Sequence, residues 1–387
     1  MALDEVEVSI VMPCLNEEKT IGVCVEKAMR TLEQMGMPGE VVVSDNGSTD
    51  RSVEVAESLG ARVVHQPEKG YGNAYMKGLT GARGRYIVMG DSDNTYDFSE
   101  LERFIAPLRN GYDLVMGNRF KGKILRGAMP WHHQYIGNPL LSGILNLFFR
   151  TGVGDAHCGM RSFTQEAFER MRLQTAGMEF ASEVVIHAGK LGLRITEVPI
   201  TYHPRAGGTE SKLRSFRDGW RHLRFMLLYS PTYLFLWPGG VLMLLGVLIL
   251  GLLAMGPLSL GGLFLGFHWM FAGSLLTVLG FQIINLGLFA RFYSLTNHFD
   301  EGRDPVVEWI RRHFNLESGI VLGGGIFGLG ILIDLFVLLS WLSGNFQSPV
   351  TIRLSILALT LSIIGAQTLF STFFLSLMTV KKHGWNR

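Results

Sequence analysis

The fold is decided by the stretch RYIVMGDSDN, residues 85–94, in which a short apolar run ends in two aspartates. The run 85–89 predicts a buried β-strand. Because side chains alternate along an extended backbone, we expect Asp91 and Asp93 to lie on the same side of it. Mg²⁺ and Mn²⁺ prefer oxygen ligands, and Mg²⁺ commonly binds through one or two carboxylates and the phosphates of a substrate. The motif therefore predicts a divalent-metal site at a strand end.

Three further apolar runs precede this strand, at residues 8–12, 41–44 and 61–64, and they alternate with helix-like segments. This alternation predicts βαβ units and a largely parallel sheet. Ligands of such sheets bind at the carboxyl ends of the strands. Two of the runs end in polar stretches, PCLNE at 13–17 and DNGSTD at 45–50. We expect these stretches to converge with the aspartate motif on one site.

The composition of the 387-residue chain excludes some functions. Its net charge of +2 gives no electrostatic support for binding nucleic acid. The three cysteines, Cys14, Cys24 and Cys158, are odd in number and lack zinc-like spacing, which favours reduced thiols in a cytosolic compartment. The apolar run 8–12 is too short for a secretory signal peptide. We therefore expect the N-terminal part of the chain in the cytosol.

The chain changes character after residue 231. Four apolar spans follow, at about 233–255, 267–289, 320–341 and 354–380, and each reaches roughly the 20 residues that cross a bilayer. Lysines and arginines concentrate between the second and third spans and in the C-terminal tail. The positive-inside rule then predicts both termini on the cytosolic side. The pattern indicates a multi-pass protein of the inner or plasma membrane.

Residues 212–231 separate the two regions. They combine arginines with tryptophan and phenylalanine, which predicts a basic amphipathic helix in the lipid headgroup region, with a packed surface helix as the alternative. The predicted domains are a cytosolic domain over 1–211, this helix over 212–231 and a transmembrane domain over 232–387. A second apolar helix at 139–149 is too short to span the bilayer. It either packs in the core of the domain or dips into the membrane.

Residues 8–230 resemble the family 2 inverting glycosyltransferases of the GT-A fold, and are most similar to the polyprenyl-phosphate and dolichyl-phosphate hexose synthases. The resemblance implies an α/β fold, in which a Rossmann-like GT-A domain with a mostly parallel sheet precedes an all-α transmembrane domain of four helices. The order and spacing of the motifs carry the resemblance over more than half of the chain. The matching segments are PCLNE (13–17), DNGSTD (45–50), KGYGNA (69–74), ARGRY (82–86), GDSD (90–93), GNRF (117–120), CGMR (158–161) and EVPI (197–200).

The resemblance implies a site for a nucleoside-diphosphate sugar, either UDP- or GDP-linked, in which Asp91 and Asp93 are catalytic and hold Mg²⁺ or Mn²⁺. The family usually has a second acidic residue where this chain has Asn46, so the identity of the base stays open. Gly70 and Gly72 resemble a loop that closes over the nucleotide, with a simple turn as the alternative. The residues implied in donor binding are Pro13, Asn16, Glu17, Asp45, Asn46, Gly47, Gly70, Gly72, Asp91, Ser92 and Asp93.

Three basic residues, Arg119, Arg205 and Lys212, resemble those that receive the acceptor phosphate in this family. Arginine can grip a phosphate through two nitrogens, whereas lysine acts as a point charge. Contacts with lipid headgroups are the alternative role. The resemblance thus implies metal-assisted transfer of a hexose, with inversion, to a polyprenyl or dolichyl phosphate in the cytosolic leaflet of a lipid bilayer.

Glu179 and Glu183 are four residues apart in a predicted helix and so share one face. A transferase with a hydroxyl acceptor needs a general base, for which either glutamate is a candidate. A phosphate acceptor is already anionic at neutral pH, so both glutamates can instead bind the sugar or hold the fold. The roles of Asp155, His157 and the intramembrane Asp334 stay open.

Two other functions compete with this interpretation. One is a membrane glycosyltransferase with a hydroxyl acceptor, such as a polysaccharide or glycolipid synthase, although the chain lacks the Gln-x-x-Arg-Trp-like motif of processive polysaccharide synthases. The other is a non-catalytic membrane subunit with a degenerate transferase domain, which the intact aspartate motif disfavours. The sequence is compatible with a homo-oligomer.

Overall fold

The computed structural model describes residues 6–205, 215–296, 308, 309, 312, 315–343 and 349–379. The chain divides into two compact units, Met1–Tyr229 and Ser230–Arg387. The first unit contains a seven-stranded sheet. The second contains four helices that are long and apolar enough to cross a membrane.

The sheet of the first unit is mixed but mostly parallel. Its strands are β1 (Val8–Cys14), β2 (Gly39–Asp45), β3 (Arg62–His65), β4 (Tyr86–Met89), β5 (Leu114–Ile124), β6 (Arg161–Thr164) and β7 (Ile195–Tyr202). They lie side by side in the order β3-β2-β1-β4-β6-β5-β7. Only β6 is antiparallel to its neighbours, β4 and β5, among the strands of this sheet. The predicted α/β fold class is confirmed.

Helices cover both faces of the sheet and connect its strands. They are α1 (Ile21–Gln34), α2 (Ser52–Ser58), α3 (Tyr71–Gly81), α4 (Leu101–Arg109), α5 (Asn138–Phe149), α6 (Gln165–Met171), α7 (Phe180–Lys190) and α8 (Ser215–Leu228). The apolar pattern predicts that the first helix covers residues 16–35, but α1 begins only at Ile21. Asn16 has a φ of +54°, which belongs to a turn and not to a right-handed helix. Residues 16–20 are thereby left for the site.

Two hydrophobic cores form because successive side chains of a strand point to opposite faces. On one face, Ile10 and Met12 of β1 belong to a fully buried cluster with Phe104 of α4. On the other face, Val11 of β1 belongs to a cluster with Leu79 of α3 and α7 side chains. Burial of one such side chain stabilises the fold by about 1.5–3 kcal/mol, so both helix layers are firmly attached to the central strand.

The register brings the polar strand ends to one edge of the sheet. Cys14 of β1 pairs with Asp45 of β2, so both strands end together. On the other side of β1, Val11 pairs with Met89 of β4. Asp91 follows two residues later, beside the chain that leaves β1. This register positions the three polar segments as neighbours.

The second unit contains α9 (Trp237–Ala254), α10 (Phe267–Thr296), α11 (Leu316–Leu342) and α12 (Pro349–Thr379). Their candidate membrane spans are Thr232–Ala254, Phe267–Tyr293, Leu316–Leu342 and Val350–Met378, with mean hydropathy of 1.7 to 2.3. The four helices predicted from hydropathy are confirmed. A small hairpin of β8 (Leu258–Leu260) and β9 (Leu263–Leu265) joins α9 to α10. Asp334 is only partly buried on α11.

Glycines allow close packing between α11 and α12. A Cβ on Gly330 would lie 2.7 Å from the Ser362 nitrogen and 2.8 Å from the Ala358 oxygen. Gly328, on the same helix, would place a Cβ in open space. Small residues at such contacts let two apolar helices approach closely, which is a main source of helix association in lipid.

We predict that Gly330→Val destabilises the second unit, because the new side chain must force α11 and α12 apart. Overpacking of this kind costs about 1–3 kcal/mol. Thermal unfolding of the detergent-solubilised full chain measures the effect, and Gly328→Val is the matched control. Equal melting temperatures for the two variants would contradict the assigned packing.

Candidate active site

Asp91 follows β4 and is held by two tyrosine hydroxyls. Tyr71 and Tyr75 donate to Asp91 Oδ1 at 3.1 and 3.0 Å. Both tyrosines lie on α3, four residues apart, so the helix presents both hydroxyls to the same oxygen. Tyr75 also stacks on Phe180 of α7, with 5.6 Å between ring centroids. Neither tyrosine is among the predicted site residues. Their i, i+4 spacing places both on one face of α3, but the sequence does not indicate that this face meets Asp91.

Asp93 is buried and uses both of its oxygens. Oδ1 accepts hydrogen bonds from the Thr95 nitrogen at 3.1 Å and from Thr95 Oγ1 at 2.6 Å. Oδ2 forms an ion pair with Arg205 Nη2 at 2.6 Å. Ser92, between the two aspartates, donates to the Pro13 oxygen at 2.6 Å and so ties the motif to the end of β1.

The two carboxylates repel each other in a partly buried position. Burial, followed by the Asp93 charge, raises the pKa of Asp91 to about 6. The hydroxyls of Tyr75 and Tyr71 and the charge of Arg205 oppose this rise. A cation beside the pair relieves the repulsion. Arg205 is such a cation in this structure.

The carboxylate pair fits a divalent metal. Across the described part of the chain, no group of three or more His, Cys, Asp and Glu side chains is arranged to hold a metal ion. Two carboxylates completed by substrate phosphates are, however, a common Mg²⁺ site. The guanidinium on Asp93 shows that its carboxylate binds a cation. Asp91 and Asp93 are therefore suited to hold Mg²⁺ or Mn²⁺ together with a diphosphate.

Gly70 and Gly72 lie where another backbone segment passes the start of α3. A Cβ on Gly70 would overlap with the carbonyl oxygen of Ala176, and one on Gly72 would overlap with that of Thr175. Gly70 also has a φ of +149°, which favours glycine. A side chain at either position would push α3, and the two hydroxyls it carries, away from Asp91.

Glu183 holds the segment that packs on these glycines. Its Oε1 accepts from the Gln174 nitrogen at 2.9 Å. Its Oε2 accepts from the Thr175 nitrogen at 3.0 Å and from Thr175 Oγ1 at 2.6 Å. The residue is fully buried on α7. Both oxygens thus stabilise backbone, which favours the fold-holding role over that of a base. Glu179 differs, since its buried Oε2 has no hydrogen-bond partner within the described structure.

We predict that Glu183→Gln raises KM for the donor about tenfold and changes kcat less, because the amide replaces one acceptor by a donor and loosens the segment on the glycines. Loss of a general base would instead lower kcat by about 10²–10⁴ with little change in KM. Steady-state kinetics separate the two outcomes, and Glu166→Gln, an exposed acid on α6, is the control.

Asp45 forms a turn at the end of β2. Its carboxylate accepts from the Gly47 nitrogen at 3.2 Å and from the Ser48 nitrogen at 3.0 Å. His65 Nδ1 lies 3.3 Å from it. Burial alone would raise the pKa of Asp45, but hydrogen bonds from Ser48, His65 and Gly47 outweigh it and lower the pKa. An ionised acceptor is therefore fixed at the sheet edge.

Asn46 bridges β2 to the segment before α3. Its Nδ2 donates to the Gln66 oxygen at 3.0 Å and to the Glu68 oxygen at 2.7 Å. Its Oδ1 accepts from the Gly70 nitrogen at 2.9 Å. Only an amide can donate and accept in this way, since a carboxylate at neutral pH only accepts. The amide of Asn46 therefore has a structural role at the position where the resemblance implies a second acidic residue.

We predict that Asn46→Asp destabilises the first unit by about 1–3 kcal/mol, because a carboxylate would face two carbonyl oxygens. Thermal unfolding measures the change. Asn110→Asp, which makes the same substitution at an exposed helix end, is the control. An unchanged melting temperature for Asn46→Asp would show that the bridge is not needed.

The segment after β1 is joined to the turn after β2. Asn16 Oδ1 accepts from the Thr49 nitrogen at 2.7 Å, and the Asn16 nitrogen donates to Ser48 Oγ at 3.0 Å. The backbone N–H of the buried Glu17 donates a hydrogen bond to Ser52 Oγ at 2.8 Å. The structure therefore brings the polar ends of β1 and β2 together, as the strand order requires.

The predicted basic residues are placed differently. Arg119 is buried and donates to both oxygens of Asp155, at 2.7 Å from Nε and 2.8 Å from Nη2. Its guanidinium also lies over the Tyr202 ring, 5.2 Å from the centroid. Arg205 reaches Asp93. Lys212 lies outside the described residues. Of the predicted basic residues that the structure describes, Arg205 is thus the one that it brings to Asp93.

The end of β7 delivers Arg205 to the site. The His203 nitrogen donates to the Thr95 oxygen at 2.9 Å. The rings of Tyr202 and Tyr96 lie 5.3 Å apart. Thr95 also donates two hydrogen bonds to Asp93. The chain just before Arg205 is therefore attached to the same turn that carries Asp93, the residue that Arg205 binds.

The CGMR motif supports the site from behind. A Cβ on Gly159 would lie 2.7 Å from Asp91 Oδ2 and 3.0 Å from the Tyr96 ring. Arg161 is fully buried and donates to the Cys158 oxygen at 2.8 Å and the Ala181 oxygen at 2.7 Å. The motif thus joins α7 to the segment that backs Asp91.

His157 belongs to a second buried group. Its Nε2 lies 3.4 Å from Ser182 Oγ, which is 2.8 Å from His222 Nδ1. Burial lowers the pKa of His222 to about 4 and that of His157 well below its ordinary value. Both rings are therefore neutral at physiological pH, as expected of hydrogen-bonded structural histidines.

Two family models match the chain: residues 9–172 match glycosyl transferase family 2, and residues 288–379 match the glycosyltransferase family 2 C-terminal transmembrane region. The chain is 43% identical over 369 residues to the low-salt glycan biosynthesis hexosyltransferase Agl6 of Haloferax volcanii, over 95% of this chain and 88% of that protein. The chain belongs to glycosyltransferase family 2. The predicted enzyme class, a glycosyltransferase, is confirmed, and the chain is a membrane protein.

Two further similarities cover the N-terminal part. The dolichyl-phosphate hexose transferase of Haloferax volcanii is 33% identical over 215 residues, which is 55% of this chain and 89% of that protein. The glucosyl-3-phosphoglycerate synthase of Mycobacterium tuberculosis, solved with Mn²⁺, UDP and glucosyl-3-phosphoglycerate, has 22% identity and a TM-score of 0.48, over 58% of this chain and 80% of that chain.

Proposed function

We propose that this enzyme transfers a hexose, with inversion, from a UDP- or GDP-sugar to a polyprenyl phosphate in the cytosolic leaflet. The observation that carries the proposal is the guanidinium of Arg205 beside the carboxylates of Asp91 and Asp93. An acceptor phosphate needs a cation to receive it, whereas a hydroxyl acceptor needs a base. The names of two relatives, a hexosyltransferase and a dolichyl-phosphate hexose transferase, support the same activity.

On the donor side, Asp91 and Asp93 would hold Mg²⁺ or Mn²⁺, which would offset the charge that develops on the departing diphosphate. Tyr71 and Tyr75 keep Asp91 in place through their hydroxyls. The ionised Asp45 accepts from the nucleoside. The segment that contains Gly70 and Gly72 lies over the nucleotide.

On the acceptor side, the polyprenyl phosphate supplies its own nucleophile. An anionic phosphate oxygen attacks the anomeric carbon from the face opposite the diphosphate, which inverts the configuration. Glu183 takes no part in this step, because the backbone of residues 174–175 occupies its carboxylate. Arg205 stabilises the acceptor phosphate by charge-assisted hydrogen bonds. Lys212 adds a second positive charge.

The membrane interface receives two helices of the first unit. On α8, Met226 is fully buried, whereas Phe216 and Trp220 are 97% and 58% exposed. On α5, Leu145 is fully buried and Leu147 is 59% exposed. Aromatic side chains exposed on a basic helix suit the headgroup region. Each helix thus has a core face and a face available to lipid. In this arrangement both termini lie in the cytosol.

A substrate panel tests the proposal directly. Purified full-length protein is incubated with UDP- and GDP-hexoses and a polyprenyl phosphate, with Mg²⁺, Mn²⁺ or EDTA. We expect a sugar-phosphate lipid with one donor class, and its loss in EDTA. Transfer to a free hydroxyl, with none to the phosphate lipid, would overturn the proposed acceptor.

We predict that Asp91→Asn and Asp93→Asn each lower transfer at least a thousandfold while the protein stays folded, because each removes a charged metal ligand. Product formation is measured by chromatography of the lipid fraction, and circular dichroism checks the fold. Full activity of the double variant would refute the metal-assisted mechanism.

One observation favours a second candidate, a glycosyltransferase with a hydroxyl acceptor. Glu179 Oε2 is buried and has no partner among the described residues, so it remains available as a base or a sugar ligand. If Glu179 is the base, Glu179→Gln abolishes turnover and leaves donor binding unchanged. If the acceptor is a phosphate, the same variant retains measurable kcat.

A further inference from the structure

Asp93 can bind a metal only through an oxygen that is already in use. Oδ1 accepts two hydrogen bonds from Thr95. Oδ2 lies 2.6 Å from Arg205 Nη2, and the Asp93 side chain is 7% exposed. A divalent ion at Oδ2 would bind the oxygen that the guanidinium already contacts. Two cations cannot share this position at close range, because like charges repel strongly where water is excluded.

We propose that Arg205 is a tethered cation that competes with the divalent metal for Asp93, so that it sets the metal affinity of the nucleotide-free enzyme. The inference rests on the proposed metal-assisted function. Where no metal is bound, the guanidinium offsets part of the charge of the carboxylate pair, and an incoming metal replaces it.

The local structure permits this exchange. Hydrogen bonding of the His203 nitrogen to the Thr95 oxygen fixes the chain before Arg205 to the turn that carries Asp93. The Arg205 side chain is 26% exposed, so it can leave Asp93 by rotation about its own bonds without movement of this anchored backbone. Only the side chain therefore needs to move.

The charges at the site favour replacement of the Arg205 guanidinium by a divalent ion. A divalent ion neutralises Asp91 and Asp93 better than one guanidinium does. The displaced guanidinium can then bind a phosphate, which accepts its two parallel N–H groups well. Metal binding is therefore weak while no phosphate is present, and a phosphate-containing substrate strengthens it by binding Arg205.

Direct Mn²⁺ binding tests the inference. Free Mn²⁺ is titrated by electron paramagnetic resonance in the presence of the purified full chain, without nucleotide or lipid. We expect Arg205→Gln to bind Mn²⁺ about two- to fivefold more tightly than the wild type, since a partly exposed ion pair of this kind is removed. We expect Arg205→Lys to lie between them, because a lysine keeps the charge and loses the planar fork.

Two controls make the result specific. Arg170→Gln removes the same charge at an exposed ion pair with Glu166, 4.0 Å apart, and should leave Mn²⁺ affinity unchanged. Asp93→Asn combined with Arg205→Gln should remove the gain. Thermal unfolding verifies the fold of each variant.

Two results would overturn the competition: equal or weaker Mn²⁺ binding by Arg205→Gln, or a gain that survives Asp93→Asn. Because the titration contains neither donor nor acceptor, it is independent of the transfer assay. Unchanged affinity with intact sugar transfer would refute the competition alone, whereas absent transfer with the expected gain would refute only the proposed substrates.

Discussion

The repulsion between two neighbouring carboxylates at the end of β4 is the constraint on which the rest of the site depends. Asp91 and Asp93 are partly or fully buried, where an ionised group loses hydration and a second one nearby raises the cost further. The hydrogen bonds and the ion pair of these two side chains reduce this cost, because each comes from a hydroxyl, an N–H or a cation. The packing of α3 and α7 brings the hydroxyl donors on α3 to the end of β4.

One helix, α7, meets most of that need. Phe180 at its start stacks on Tyr75, and Glu183 one turn later holds the segment that packs on the glycines before α3. Both contacts fix the position of the hydroxyls that bind Asp91. Glu183, although it lies at a position suited to catalysis, therefore stabilises the fold. Its full burial is consistent with this role, since a base must exchange protons with a bound substrate.

The sequence was sufficient for features that depend on local pattern. Apolar runs ending in polar residues indicated the strands, and their register joined Asp45 to the end of β1. Hydropathy indicated the four membrane helices. Contacts between distant residues were not predictable in this way. Tyr71 and Asp91 are 20 positions apart and Arg119 and Asp155 are 36 apart, and only the packed sheet determines that they meet. For the same reason the motif GNRF indicated Arg119 as a functional residue, but did not indicate that it binds Asp155.

The way each arginine is paired decides which one can serve a substrate. Arg119 is 6% exposed and both oxygens of Asp155 accept from it, so a phosphate that drew it away would leave Asp155 buried without its cation. Separating a buried pair in this way is strongly unfavourable. Arg205 is more exposed, and the carboxylate it would leave behind is one that a metal ion can neutralise. If Arg205 exchanged Asp93 for a phosphate, a metal ion could compensate the charge of Asp93. If Arg119 made the same exchange, the charge of Asp155 would stay uncompensated. In the proposed mechanism the cations at the site change partners, which suits a phosphate acceptor better than a hydroxyl that must lose a proton.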